Sequence, residues 1–373
     1  MTADTVLIAA LSGRGLAASA RRAGYLPLVA DAFGDSDTAE LAAHARQVTE
    51  AARIGFRAKP VFAALAELEA ASPSPPIGLV LGSGFEDRPK LIAALSRRYP
   101  LIGNGAETIA RAKNPAGFFA LLDNLGIAHP ATQLVPPSDT SRWLSKRVGG
   151  SGGTHIVDAA AAERSPRRYY QRRVDGVPHS VLAVATRDGV HIVGISRQWT
   201  VGQGPRPFRY GGAVGPVQLP TAVDVSMRYA AEAVCAALSL VGLVAFDFLL
   251  VGDTPILSEV NPRPGATLDV FDDAGGALFR AHVDACGDKT AALPVPRGAR
   301  AAAILYADRG PLTIDAIRWP EWSADRPAPG TRVPRYRPIA TVFAAADAPE
   351  AAFESCRGPV SYTHLTLPTI LLV

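Results

Sequence analysis

The 373-residue chain is 48% hydrophobic and 19% charged, which indicates a compact soluble protein of two or three domains. Its net charge of +4 is small for that length and its arginines are scattered, so a nucleic-acid partner is not suggested, while anionic substrates such as nucleotides are compatible. The well-separated Cys235, Cys286 and Cys356 read as reduced thiols of a cytoplasmic protein, the apolar run Val6 to Leu11 is too short to span a membrane, and the seven histidines show no zinc-ligand spacing.

From the N-terminus, Thr5 to Leu11 reads as a buried strand and Leu16 to Gly24 as an Ala-rich helix closed by glycine. Tyr25 to Asp31 is the next strand, so the opening implies a parallel sheet. The Gly13-x-Gly15 turn lacks the third glycine of a dinucleotide fingerprint. Ile77 to Leu81 is another strand, Leu91 to Arg98 a helix, and the first domain closes near Leu101 to Asn104. A helix is expected over 107–125 with Lys113 in its first half. Trp143 to Val148 is a strand that runs into the glycine-rich Gly149 to Gly153. A short strand spans Tyr169 to Val174, and Ser180 to Thr186 with Val190 to Trp199 reads as a hairpin through Asp188-Gly189. Residues 202–215 read as a Gly/Pro/Arg-rich loop and 221–241 as a long amphipathic helix. After a helix near Leu278 to Cys286, the strands Ala301 to Tyr306 and Ile339 to Ala344 form a β-rich C-terminal module. From about residue 360 the residue usage changes abruptly, and the tail reads as non-native.

The most informative segment runs from Val244 to Thr267. Glu259 and Asn261 share one face of a strand, and Arg263 continues the row if strand geometry persists. A three-residue loop at Gly252 to Thr254 would place Asp247 opposite Glu259. Two carboxylates and an amide oxygen on one face make a hard-oxygen site for magnesium, and the neighbouring Arg would meet a transferring phosphoryl group. An exposed polar hairpin is the alternative, although like charges directly opposite each other disfavour it.

Lys146 stands immediately before the glycine loop, whose backbone N–H groups could close over a triphosphate; a surface linker is the other reading. Lys113 alone is a solvated charge, Gln171 to Val174 an ordinary strand, and His179 a surface or core histidine. Arg197, Arg206, Arg209 and Tyr210 lie in or beside the 202–215 segment, where Arg would suit carboxylate capture; a solvated loop is the alternative.

The order of these features, ending in Ser258-Glu259-Val-Asn261-Pro-Arg263-Pro, resembles the ATP-grasp superfamily of carboxylate–amine ligases and biotin carboxylase relatives. The resemblance implies an α/β and α+β chain: a Rossmann-like domain over 1–105, the ATP-grasp fold over 106–287, a small β-rich module over 288–358 and a non-native tail at 360–373. It implies that Lys113 and Lys146 bind ATP, that Gly149, Gly150, Ser151, Gly152 and Gly153 cover its triphosphate, and that Gln171, Arg172 and Val174 form an adenine hinge with His179 near the ribose. Asp247, Glu259 and Asn261 would hold Mg2+, with Mn2+ as the substitute, and Arg263 with Lys146 would act in catalysis. Gln171 and Asp247 stand where Glu is common in the family. Arg197, Arg209 and Tyr210 are the implied substrate contacts.

The implied reaction joins a small-molecule carboxylate to an amine through an acyl phosphate, with a homodimer as the implied assembly. The 13–25, 31–38 and 319–330 segments resemble a bacterial carboligase group, related to biotin carboxylase, found beside tetrahydromethanopterin and methylofuran genes, so adding an amino acid such as glutamate during cofactor synthesis is the specific expectation. A bicarbonate-activating carboxylase and a non-enzymatic ATP-binding regulator are the alternatives.

Overall fold

Apolar strands alternate with helices at the start of the chain, and such connections favour a parallel sheet. The computed structural model describes residues 3–290 and 292–363. Strands β1 (Thr5–Ala10), β2 (Leu26–Asp31), β3 (His44–Gln47) and β4 (Leu79–Leu81) lie parallel in the order β3-β2-β1-β4. Around them pack α1 (Arg14–Arg22), α2 (Ser36–Leu41), α3 (Ala51–Ile54), α4 (Ala58–Ala70) and α5 (Pro89–Ser96). Every residue of β1 is buried, with Leu7 and Ala9 facing the core under α4 and Val6 and Ile8 facing the rest of the molecule.

The helix expected over 107–125 is two helices, α6 (Ala106–Lys113) and α7 (Pro115–Asn124). Pro115 disfavours a helical conformation at Asn114, which instead caps α7 by accepting the Gly117 amide at 3.3 Å. Lys113 therefore ends one helix instead of sitting inside a longer one. Beyond it, β5 (Thr132–Gln133), β6 (Trp143–Arg147), β7 (Ile156–Asp158) and β8 (Arg168–Arg172) form a four-stranded antiparallel sheet in the order β5-β8-β6-β7.

An eight-stranded antiparallel sheet makes up the rest. Its strands are β9 (Val177–Thr186), β10 (Gly189–Thr200), β11 (Tyr210–Gly215), β12 (Gly242–Val251), β13 (Thr254–Asn261), β14 (Ala299–Tyr306), β16 (Ser323–Ala324) and β18 (Pro338–Ala346), ordered β13-β12-β9-β10-β11-β14-β18-β16. A separate pair, β15 (Leu312–Thr313) and β17 (Arg332–Val333), lies beside it. Helix α8 (Thr221–Leu238) covers one face through Met227, Ala231 and Val234 against Val181, Phe246 and Phe248. On the other face Leu182, Val184, Leu243 and Ala245 meet the N-terminal domain, α9 (Leu268–Phe271) and α10 (Ala277–Cys286).

Strand β11 lies inside the segment read as a loop. Its glycines serve close packing: a Cβ on Gly211 would come within 2.6 Å of Trp199, and one on Gly212 within 2.3 Å of Trp199 and of the Ala302 carbonyl. The C-terminal strands pair as expected, β14 with β18, but β14 also pairs with β11, so the module continues the central sheet. Helix α11 (Pro349–Thr363) runs into the first residues of the tail read as non-native; from 364 that tail lies outside the described residues.

Candidate active site

Asp247 does face Glu259, but the turn is not what sets the register. The hairpin loop has two residues, Gly252 and Asp253, with Val251 paired to Thr254 and Gly252 at φ +56°. That loop alone would pair Asp247 with Ser258. A bulge between Asp247 and Phe248 on the ladder shifts the pairing by one, and the Ser258 hydroxyl donates to the Asp247 carbonyl at 2.9 Å. The bulge also changes which residues face α8: Leu257 before it and Val260 after it both pack there, which turns Glu259 and Asn261 to the opposite side.

That side is the wall of a cleft of about 700 Å³ between the N-terminal domain, the small sheet and the large sheet. Asp247 accepts from Ser180 Oγ and from Asn261 Nδ2, both at 2.8 Å. Lys113 Nζ reaches across from α6 to Glu259 Oε1 at 2.5 Å and Asn261 Oδ1 at 3.0 Å. Burial pushes the Glu259 carboxyl up, yet the charges of Lys113, Lys146 and His155 outweigh it and hold the group at about 2. Asp247 is pushed up, first by burial and then by Glu259. Among the described residues no group of three or more His, Cys, Asp or Glu forms a metal site. The candidate set is two carboxylates and an amide oxygen, a hard-oxygen set that suits Mg2+ completed by phosphate and water.

Lys146, on β6, is 5% exposed, and its Nζ donates to Gln171 Oε1 on β8 at 2.9 Å. Burial pushes its pKa down against the pull of Glu259 and Asp247. The glycine loop that follows is a tight fit. At Gly149 (φ +66°) a Cβ would sit 2.6 Å from the Asp87 nitrogen, and at Gly153 (φ +70°) 1.8 Å from the Phe208 carbonyl. Gly150 lies against the His155 ring. The loop thus rests on the N-terminal domain at one end and on the 202–208 segment at the other. Ser151, Gly152 and Gly153 line the cleft, whereas Gly149 and Gly150 are not part of its wall.

Gln171, Arg172 and Val174 line the cleft too. The Arg172 amide is taken by the Ala131 carbonyl at 2.8 Å, which leaves the Arg172 carbonyl as the backbone group that could meet a base. His179 is off the wall: strand alternation turns it away from the side carrying Ser180, and its Nδ1 contacts the Val177 carbonyl at 3.0 Å. Two of the three implied substrate residues are likewise elsewhere. Arg197 pairs with Glu350 at 3.2 Å and covers the Phe353 ring. Arg209 is wholly buried, bidentate to Asp308 at 2.8 Å and stacked on Tyr306, so it braces the sheet. Tyr210 does line the cleft, as does Arg206.

Arg263 lies at the cleft with its Nε donating to Glu86 Oε1 at 2.7 Å. Glu86 Oε2 accepts the Gly84 and Phe85 amides at 2.8 and 3.0 Å. Burial would raise the Glu86 carboxyl, but Arg263 and Lys113 keep it lowered. Neither Glu86, Ser180 nor His155 stood out in the sequence; for Glu86 the signal was its place after the Gly82-Ser-Gly turn that ends β4.

A family model described as the ATP-grasp domain matches residues 113–267, from the lysine that ends α6 to just beyond Arg263. The carbamoyl phosphate synthase large chain of Myxococcus xanthus (strain DK1622) is 24% identical over 240 residues, which are 57% of this chain and 22% of that relative. This chain therefore spans about a fifth of that protein's length. Among solved structures, the biotin carboxylase domain of the Hydrogenobacter thermophilus 2-oxoglutarate carboxylase, a dimer with MgADP, ADP and bicarbonate, has a TM-score of 0.72 at 12% identity, covering 96% of this chain and 89% of that one. The L-amino acid ligase of Bacillus licheniformis has a TM-score of 0.70 at 14% identity, with 98% of each chain covered. Residues 113–267, which bring the acid hairpin, Lys146 and the Ser151 to Gly153 part of the glycine loop to one cleft, thus match the ATP-grasp domain, and the chain shares the fold of the biotin carboxylase domain and of the L-amino acid ligase.

Proposed function

We propose that the chain is an ATP-dependent, ADP-forming ligase that activates a small carboxylate as an acyl phosphate and passes the acyl group to an amine. One observation carries the reading: Lys146, Gln171, Asp247, Glu259, Asn261 and Arg263 line a single cleft under a glycine loop. No nucleophilic triad is required there, because phosphoryl transfer depends on positioning and charge. In this reading Lys113 and Lys146 take phosphate oxygens, the loop amides at 151–153 cover the triphosphate, and the Val174 backbone meets the base. Asp247, Glu259 and Asn261 oxygens would hold magnesium, which when bound would supply charge neutralisation at the phosphates. A substrate carboxylate oxygen attacks the γ-phosphorus and ADP leaves; the amine then attacks the acyl carbon, and phosphate departs with that oxygen. Arg263 neutralises the charge that develops between the two steps.

A second reading, in which bicarbonate is the carboxylate, is favoured by the biotin carboxylase domain with bicarbonate and by the carbamoyl phosphate synthase match. A phosphate-release screen over amino acids, amines and bicarbonate separates the two. The first expects release that depends on an organic acid and an amine; the second expects release with bicarbonate; ATP binding without release under any condition refutes both and leaves a non-enzymatic regulator. The finest form of the proposal, glutamate addition in tetrahydromethanopterin- or methylofuran-type cofactor synthesis, rests on the sequence resemblance of 13–25, 31–38 and 319–330. Manganese as a substitute metal, a homodimer and a cytoplasmic location complete it. The free thiols Cys235, Cys286 and Cys356 support that location. No described helix is long and apolar enough to cross a membrane.

A further inference from the structure

Six arginines line the cleft, and they differ in what holds them. Arg14 donates to both oxygens of Asp269 at 2.6 Å and to Asp325 at 3.1 to 3.2 Å, Arg173 pairs with Asp175 at 3.0 Å, and Arg263 is held by Glu86. Arg172 is exposed. Arg206 and Arg337 are different again: both are half-buried, and neither pairs with a carboxylate among the described residues.

The two meet at one corner of the wall. The Arg206 side chain donates to the Tyr336 carbonyl at 3.0 Å, so its guanidinium sits on the peptide that joins Tyr336 to Arg337, while the Arg337 guanidinium has no hydrogen-bond or ion-pair partner among the described residues. Backbone fixes the corner. Ala307 accepts the Tyr336 amide at 2.9 Å and donates to the Arg337 carbonyl at 3.0 Å, which holds Tyr336 at φ +67°, an unfavourable conformation for a tyrosine. Arg206 lies in a turn closed by its own backbone and that of Gln203, at 3.1 and 3.3 Å. Asp308, the acid at this corner, is already taken, since both its oxygens accept from Arg209 at 2.8 Å. Burial, and then Arg206, hold the Arg337 pKa below its ordinary value. Half-buried like charges with no anion between them are unfavourable until one arrives, and a guanidinium fork suits the paired oxygens of carboxylate or phosphate. The corner is also set apart from the acid pair. The cations acting most strongly on Asp247 and Glu259 are Lys113, Lys146 and Arg263, with His155 beside them, and Arg337 leads into β18, six strands along the large sheet from β13.

From this geometry we propose that Arg206 and Arg337 bind an oxyanionic group, carboxylate or phosphate, of a ligand other than the nucleotide, so that the substrate carries a second oxyanion beside the carboxylate that reacts. The binding stands by itself; the second oxyanion's place on the substrate rests on the ligase reading above. Titration calorimetry on the full chain saturated with MgADP tests it with glutarate and glycerol 3-phosphate, set against the neutral glutaramide and glycerol and against butyrate, which has a single carboxylate. The expected result is that glutarate or glycerol 3-phosphate binds, its neutral analogue does not, and glutarate exceeds butyrate if the carboxylate arm is the one that binds. Arg337→Gln should weaken the anion tenfold or more and Arg337→Lys by less, with the MgADP affinity changed less than twofold in both. Absence of binding by both anions, equal binding by the neutral analogues, or an unchanged anion affinity in Arg337→Gln would overturn the proposal. A parallel loss of MgADP affinity would also overturn it, because the pair would then serve the nucleotide. If Arg337→Gln does not fold, Arg206→Gln is read the same way. Anion binding without phosphate release from any acid and amine would remove the ligase reading and leave this site standing, whereas release by a chain that binds neither anion would do the reverse.

Discussion

Arg263 donates from Nε to Glu86 Oε1 at 2.7 Å, which ties the residue at the end of the acidic hairpin to the N-terminal domain. Both side chains are largely buried, 12% and 2% exposed, and the Glu86-Asp87 backbone also supports Gly149. One dipeptide thus holds both the arginine and the base of the glycine loop. Glu86→Gln keeps the shape and weakens the anchor. It is expected to lower kcat on the order of 100-fold, the scale of a misplacement of about 1 Å, while the KM for ATP changes little. Lowered thermal stability of the ATP-free protein with kcat per folded molecule unchanged would reduce Glu86 to a structural role.

The glycines of the loop are not equivalent. Gly152 has φ +66° but open space around it, whereas Gly149 combines φ +66° with a backbone contact that a Cβ would violate. Gly152→Ala should cost about 1 to 2 kcal/mol through its left-handed conformation. Gly149→Ala should cost more and also raise the KM for ATP, because the loop must lift off Asp87. Steady-state kinetics beside chemical denaturation of the two variants checks the order.

Lys113 bonds the same oxygens, Glu259 Oε1 and Asn261 Oδ1, that the proposed metal site needs. A cation attached to the protein therefore competes with a free one until phosphate draws the lysine away. Lys113→Met should bind Mg2+ more tightly without nucleotide and ATP more weakly, two changes of opposite sign. Calorimetric titration of each ligand reads them; a loss of both affinities would contradict the competition.

Asp35 is pushed up to about 8 by burial, then by Asp325, Asp31 and Asp37, with Arg14 opposing. The ordinary value is 3.8, so between about pH 4 and about pH 8 the folded chain keeps a proton that the unfolded chain has released. Stability from this group accordingly falls as pH rises through that window and is level beyond it. Asp35→Asn removes the effect: its Tm advantage over the native chain should be near zero at pH 4 and largest above pH 8. A constant difference across the range would refute the assignment.

Much of the site was legible because its signals are local. The apolar strands of the hairpin and the Glu259-x-Asn261-x-Arg263 row follow from strand alternation, and Lys146 beside its glycines follows from sequence order. What escaped depended on contacts distant in sequence. The bulge at Ser258 leaves no mark in composition, so the right pairing was expected from the wrong turn. Arg209 sits in a polar-looking stretch but is claimed by Asp308, 99 residues away. His179 was placed by family position, and the facing of its strand took it off the wall. The glycines of 211–215 suggested a loop because glycine marks either a turn or a close approach, and only the neighbours, Trp199 and Ala302, decide which.

Transfer of label from a heavy-oxygen-labelled carboxylate to phosphate tests the central claim most directly, using purified protein with MgATP, the acid that supports turnover and its amine. An acyl phosphate intermediate predicts one carboxylate oxygen in each phosphate released, with the label lost from phosphate when Glu259→Ala abolishes turnover. Phosphate that forms at full rate without label, or a Glu259→Ala variant that turns over unchanged, would contradict the account.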